Sequence, residues 1–542
     1  MANRLLLLST AAIAAASSIP QVQNKALTLG FYGTPEVRQP IELDVEGEIP
    51  SWITGSLYRG AAGTWDIRNF SAEHWFDGFS RNHRFEIAEG KVSYRSRNGS
   101  DEYIDFVEEY GRIPGGSFAQ DPCKVMFGAF EVTFRDGINP RGNTSAANVG
   151  VTWIPNYADL ASNETQDSPL KSLVMTTESN TLQQINPESL EPIELFTYQA
   201  SSLELNNTGR SAAHAARDFD GTVYNYVLDV AKQEYKVFGI NPRGETEILA
   251  RVTDAPAAYI HTLFGTENHL ILIVWQAEYD RQKFQQQRNI LKSLKPFNQT
   301  QDALFYVIDK KGAGVIAKYT SDAFFAFHEI NSFEENGSVY IDLPHMPNYD
   351  FLWGSTMENL RANVGRRNAS ATHDIPGMFR RYKLPGINNS TQSANGTVVP
   401  RRAEVDFDLD FAKANIELPQ IHPDYRGKPY RFAYGIHVEK RGYFADSVVK
   451  VDTQDRTLKT WVPKVDALPS EPVFIPSPGA QAEDDGVLLT VSMDSRERRS
   501  SLVFIDAKDM KEIARARMPI VMGYGFHGAW AGVDGVRVPQ VA

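Results

Sequence analysis

The sequence predicts an all-β fold, and three observations predict it. Short β-rich runs recur after residue 40, among them KVSYRSR, TVYNYVLDV, YKVFGI, HLILIVW, ALFYVID, SVYIDL, VLLTVSMD and SLVFID, punctuated by Gly, Asn, Asp and Pro. Helical periodicity is confined to a few short stretches. No linker divides the β-rich region, so 40–542 reads as a single domain. In a chain of 542 residues, short meandering strands favour a propeller over a sandwich. No WD or kelch signature sets a blade count.

The N-terminus, MANRLLLLSTAAIAAASSIP, carries an apolar run from Leu5 to Ala16 with small residues after it. It reads as a candidate signal peptide at 1–20 or an apolar N-terminal segment, and it is too short to span a bilayer. Eleven N-x-S/T sequons follow, from Asn69 to Asn395. They mark glycosylated loops only in a secreted chain. Secretory entry and a cytoplasmic or peripheral-membrane location are therefore both open.

Further along, SAEHWFDGF reads as a short helix capped by Ser71, with Asp77 and Gly78 in a structural turn. DPCKVMFGAFE (121–131) holds the only cysteine, Cys123, whose apolar neighbours suit the edge of a substrate entrance. A single cysteine excludes an intramolecular disulfide and thiolate metal sites. RQKFQQQRNILKSLKPF (281–297) is basic and amphipathic, with Phe284, Leu291 and Leu294 on one face. That pattern suits a solvated helix or a contact with a membrane or lipid droplet. FFAFHEINSFEENGSVYIDL (324–343) reads as two apolar strands joined by a polar turn, with His328 in the first. Residues 386–402 read as an inserted loop. The net charge of −12 excludes a nucleic-acid backbone as partner, and no obligate protein partner is implied.

Four of the eleven histidines, His214, His261, His328 and His527, lie in apolar or glycine-rich contexts. Taken singly, each reads as a core histidine with one hydrogen bond. Taken together, they converge only if the fold brings them together, as a propeller axis would. Four neutral imidazoles would then suit Fe(II), Cu(II), Ni(II) or Zn(II). The remaining seven, His74, His83, His269, His345, His373, His422 and His437, read as surface or structural residues. So do Glu329, Glu334 and Glu335 beside His328.

Several dispersed segments, GSLYRG (55–60), HWFDGF (74–79), IELPQIHPDYRGKPYRFAYG (416–435), EPVFIPSPGAQAEDDGVLL (471–489) and the late GFHG, occur in one order. In them the chain resembles the carotenoid cleavage oxygenase family. The resemblance implies a seven-bladed β-propeller, with a few helices and loops capping the active-site face. It implies one Fe(II) per chain on His214, His261, His328 and His527. By the family pattern Glu178 orients His261, Glu417 orients His328 and Glu483 orients His527, while His214 has no carboxylate. Two departures stand out: the family's HPK at the first ligand is HAA here, and its RNGPNP-like stretch is RGAAGTWD.

The implied activity is O2-dependent cleavage of a conjugated C=C bond in a carotenoid or apocarotenoid, giving aldehydes, with a lipophilic polyene as substrate. DPCKVMFG is most similar to the fungal torulene and β-carotene cleaving branch. The stilbene-cleaving branch carries a Lys where Thr177 stands here, which removes a phenol-polarising charge. Two alternatives are a stilbene-cleaving oxygenase and a non-cleaving apocarotenoid isomerase or binder of the same fold.

Overall fold

The structure is a computed structural model that describes residues 26–537 apart from 122–143, 159, 161–168, 206–208, 365–376, 390–397, 410–414, 440–443 and 533–534. The 1–20 segment, Cys123 with its neighbours to 131, and His373 lie outside the described residues. Strands dominate, and the longest described helix, Asp101–Tyr110, has 10 residues. No described helix is long and apolar enough to cross a membrane.

The strands form antiparallel meanders. Val223–Asp229, Glu234–Ile240 and Thr246–Val252 pair in sequence order, with Ala216–Arg217 at the sheet edge. Phe264–Gly265, His269–Val274, Ala303–Asp309 and Gly314–Ser321 repeat the pattern. Thr152–Pro155, Leu173–Thr176, Thr181–Ile185 and Pro192–Thr197 make another. An eight-stranded sheet narrows to a two-residue pairing between Gly377–Met378 and Asn415–Ile416, so it too consists of two meanders.

The chain's two ends are woven together. Gly55–Thr64 pairs with Gly525–Gly532, and Asp44–Gly47 pairs with Lys511–Arg517. Early strands thus complete both sheets built by the last part of the chain.

Burial explains the sequence pattern. His269–Val274 and Gly486–Asp494 are buried along their whole length, so they read as near-continuous apolar runs rather than alternating ones. Outer strands such as Thr246–Val252 present Glu247 and Arg251 to solvent. In four sheets an extra residue shifts the register between the third and fourth strands, at Val237/Phe238, Val307/Ile308, Arg381/Tyr382 and Phe504/Ile505. Such bulges increase the right-handed twist of the pair.

Three local expectations need correction. The hairpin around His328 lies later than its apolar run suggests: the strands are Asn331–Glu335 and Ser338–His345. Asn336 and Gly337, both at positive φ, form its turn. Phe324 to Phe327 are spent on the main core, and His328 stands on the segment leading into the strand. The 281–297 stretch forms two short helices, Arg281–Gln287 and Ile290–Ser293. Leu291 and Leu294 are buried and Phe284 packs on the same core, so the face expected to meet a membrane is turned inward. His74, not Ser71, caps the short helix Trp75–Asp77, accepting from the Phe76 amide.

Candidate metal centre

His214, His261 and His328 each lie just before an edge strand (Ala216–Arg217, Phe264–Gly265 and Asn331–Glu335 respectively), and His527 lies within Gly525–Gly532. Main-chain bonds lock the first two together. The His214 N–H donates to the His261 carbonyl at 3.1 Å, and the Leu263 N–H donates to the His214 carbonyl at 3.0 Å. One ring nitrogen from each of the four residues falls within 4.8 Å of all the others, and all four side chains are buried. His214 Nε2 lies 3.0 Å from His261 Nε2.

The opposite edges of the rings are held. His261 Nδ1 lies 2.9 Å from Glu178 Oε1, which also accepts from the Tyr259 hydroxyl at 2.9 Å. Thr177 Oγ1 donates to the other Glu178 oxygen at 3.1 Å. His328 Nδ1 lies 2.5 Å from Glu417 Oε2. His527 Nδ1 lies 2.9 Å from Glu471 Oε1. A carboxylate on Nδ1 fixes the tautomer and leaves the Nε2 lone pair facing the centre. At His214 the Nδ1 contact is a hydroxyl, Thr152 Oγ1, which stands 2.9 Å from it.

Glu483, expected behind His527, is elsewhere. Half-buried in the turn before Gly486–Asp494, it accepts from the Arg431 and Phe432 amides at 2.9 and 2.7 Å. Its acidic neighbours Asp484 and Asp485 mark that turn as a solvated edge. Glu471 takes the place behind His527. It opens the same EPVFIPSP segment, and a carboxylate at the head of an apolar strand was the available signal.

Glu471 is gripped from several sides. Gln420 Nε2 donates to Oε1 at 2.8 Å, and the Gly528 amide and Arg59 Nη1 donate to Oε2 at 2.7 and 2.9 Å. Tyr259, Thr152 and Arg59 also belong to the site, and no spacing in the sequence announced them.

Glu417 is aimed by its backbone. Leu418, the next residue, has φ +45°, and the register of Asn415–Ile421 shifts between Glu417 and Gln420. A bulge of this kind re-aims a side chain, here towards His328. The Leu418 amide donates to Glu417 Oε2 at 2.5 Å.

Electrostatics keep three of the rings, His214, His328 and His527, neutral. Burial pushes His214 and His527 well below the usual histidine range. Burial also lowers His328, to about 4, against the pull of Glu417. Burial alone would raise Glu178, but the hydrogen bond and charge interaction with His261 hold it near 2. Without a metal, burial raises Glu471 to about 7 despite Arg59, and the charge of a bound divalent metal would act against that shift and favour the carboxylate. His328 Nε2 is buried with no hydrogen-bond partner among the described residues, a cost that a metal bond on that atom would remove. Four buried, converging imidazoles, three of them anchored by a carboxylate on Nδ1, fit a divalent transition metal.

Three of the rings, His261, His328 and His527, border a cavity of about 760 Å³, counting its mouth, walled by Trp75, Phe76, Phe327, Phe351, Leu418 and Phe526. Thr177 lines it too, and no Lys or Arg does among the described residues. Asp77 braces this wall: it accepts from the Phe118 and Ala119 amides at 2.6 and 2.9 Å, and Phe118 packs 4.9 Å from Phe76.

The other described histidines are structural, and none stands free on the surface. His74 bonds the Leu352 carbonyl, His83 the Tyr94 hydroxyl, His269 Glu334, His345 Arg380, His422 the Asp424 amide and His437 the Asn415 carbonyl. Glu329 is buried, accepting from the Gly265 amide, rather than lying on a strand edge.

The family model described as "Retinal pigment epithelial membrane protein" matches residues 30–532. A Neurospora crassa protein named carotenoid dioxygenase is 32% identical, over 92% of this chain and 90% of its own. A Gibberella fujikuroi protein named torulene dioxygenase is 31% identical, over 91% of each. The human mitochondrial carotenoid-cleaving dioxygenase is 28% identical, over 91% of this chain and 89% of its own. Among solved structures, the cobalt-substituted Synechocystis ACO superposes with TM-score 0.71 at 22% identity, covering 94% of this chain and 99% of that one. That likeness shows a shared fold.

Proposed function

Since the chain belongs to the retinal pigment epithelial membrane protein family, the carotenoid oxygenases, we propose that it is a non-haem Fe(II) dioxygenase cleaving a conjugated C=C bond of a carotenoid or apocarotenoid to aldehydes. The observation that carries this reading is the set of four buried imidazoles, His214, His261, His328 and His527, converging beside an apolar, aromatic-walled cavity. Bound Fe(II) supplies the electrons that activate O2 towards an electron-rich alkene.

The protein's own part is to hold and to shield. Glu178, Glu417 and Glu471 keep the Nδ1 protons of His261, His328 and His527 in place, so the Nε2 of each stays available. Trp75, Phe76, Phe327 and Phe526 pack a polyene against the centre and exclude water. Neither a nucleophile nor a general base is required of the side chains. The relatives named carotenoid and torulene dioxygenase support the polyene reading. Against a stilbene substrate stands the cavity wall, which offers a phenol Thr177 rather than a cation.

The resemblance to a seven-bladed propeller gains support from the way the groups are shared out. Four meanders each bring one imidazole, and the three others each bring one carboxylate: Glu178, Glu417 and Glu471. We read these meanders as blades around one axis, with the metal on it.

The test is anaerobic Fe(II) loading, then O2, with a panel of carotenes, apocarotenals and stilbenes and mass-spectrometric product analysis. Cleaved aldehydes from a polyene are expected. Isomerised or unchanged polyenes, or cleavage of stilbenes alone, would overturn the reading.

A further inference from the structure

Behind His527 lies a fully buried ion pair that none of the roles above explains, and what it implies rests on the iron reading. The side chains of Arg59 and Glu471 are both 0% exposed. Burying such a pair is costly, and replacing it with well-packed apolar groups is often neutral or stabilising, so stability alone is a weak reason for it. Arg59, from the strand Gly55–Thr64, spends its two Nη groups on the residues around His527. Nη1 donates to Glu471 Oε2 at 2.9 Å and to the Glu471 carbonyl at 3.1 Å. Nη2 donates to Ser470 Oγ at 2.8 Å and to the carbonyl of Phe526, the residue before His527, at 3.3 Å. One guanidinium therefore grips both the carboxylate that orients the His527 ring and the chain that carries the ring.

Charge gives the pair a second meaning. Four neutral imidazoles leave the two positive charges of Fe(II) uncompensated, while Glu178, Glu417 and Glu471 place three negative charges immediately behind the rings. Among the described residues, Arg59 is the only Lys or Arg bonded to any of these carboxylates. With it the cluster sums to zero, and without it the cluster carries a net negative charge beside a hydrocarbon cavity.

We propose that Arg59 is the counter-charge of the centre, a positioning residue that acts through Glu471 to hold His527 and to bring the buried cluster to neutrality. A purely structural Arg59 would matter to folding and leave the metal unaffected. A counter-charge ties its effect to the presence of Glu471.

The experiment is a titration of metal-free protein with Co(II), reading affinity and the visible ligand-field bands. It compares wild type, Arg59→Lys, Arg59→Met, Glu471→Gln and the double variant, with thermal unfolding of each metal-free form as the control for folding. Arg59→Met is expected to weaken Co(II) binding about 10–100-fold and to alter the bands. Arg59→Lys, which keeps the charge, should retain most of the affinity. In the Glu471→Gln background, Arg59→Met should cost no more than about threefold, because the charge it balances has gone. If Arg59→Met fails to fold, the double variant is compared with Glu471→Gln: equal affinity supports the proposal, and a further tenfold loss overturns it. Wild-type affinity and bands in Arg59→Met, or an equal loss with and without Glu471, would also overturn it. A wild-type protein that binds no Co(II) would instead overturn the metal reading on which it rests.

Discussion

Replacing Glu417 with Gln tests how firmly His328 is held. Glu417 is 1% exposed, and its Oε2 takes both the His328 Nδ1 proton and the Leu418 amide at 2.5 Å. Its Oε1 is buried and has no hydrogen-bond partner among the described residues. A glutamine can place its carbonyl oxygen at the Oε2 position, but its NH2 then falls where Oε1 stood and finds no acceptor. The change trades a charge-assisted bond for a neutral one, about 1 kcal/mol, and leaves a buried donor unsatisfied, about 1–3 kcal/mol. The reverse rotamer is worse for the metal, because an NH2 facing Nδ1 forces the proton onto Nε2 and closes that atom as a ligand. Together these predict a destabilisation of about 2–4 kcal/mol for the metal-free protein. They also predict a 10–100-fold loss of Fe(II) affinity. Chemical denaturation measures the first, and an anaerobic Fe(II) competition titration the second. A Glu417→Gln protein with wild-type stability and wild-type iron affinity would refute the reasoning.

Three further outcomes follow from the geometry. Glu471→Gln should lower metal affinity and activity about 10–100-fold, while Glu483→Gln should leave both within about twofold, since it touches only the turn at Arg431 and Phe432; iron content and turnover of the two variants decide it. Asp77, raised to about 6 by burial against the pull of two amides, should remain protonated in the folded chain where the unfolded chain, near 3.8, has lost its proton. Its contribution to stability therefore grows as pH falls from 6 towards 4, and the Tm difference between wild type and Asp77→Asn should change across that window and be flat above pH 7; a constant difference would contradict the assignment. Thr177→Lys puts a cation into the cavity wall and should cut polyene turnover at least about tenfold through desolvation of the ammonium; unchanged polyene kinetics would show that Thr177 does not border the substrate.

The strands and the four histidines were legible because each carries a local signal. Runs such as HLILIVW announce strands covered on both faces, and imidazoles in apolar surroundings stand out one by one. Glu417 was legible through its motif, although the bulge at Leu418 that aims it was not. The sequence points to Glu483 rather than Glu471 behind His527 because an acidic run draws the eye, whereas a lone carboxylate beside a proline looks like a strand end. Arg59, Tyr259 and Thr152 act only through partners tens to hundreds of residues away, and such contacts leave no periodicity. The 281–297 stretch has a true amphipathic pattern, but Phe284, Leu291 and Leu294 pack on the core, and pattern alone does not distinguish a core from a lipid surface.

X-ray absorption at the iron edge of Fe(II)-loaded protein tests the central claim most directly. The account predicts one iron per chain with the scattering of four imidazole rings and no carboxylate ligand, since Glu178, Glu417 and Glu471 are engaged at Nδ1. Three or fewer imidazoles, or a carboxylate oxygen bound to the metal, would contradict it.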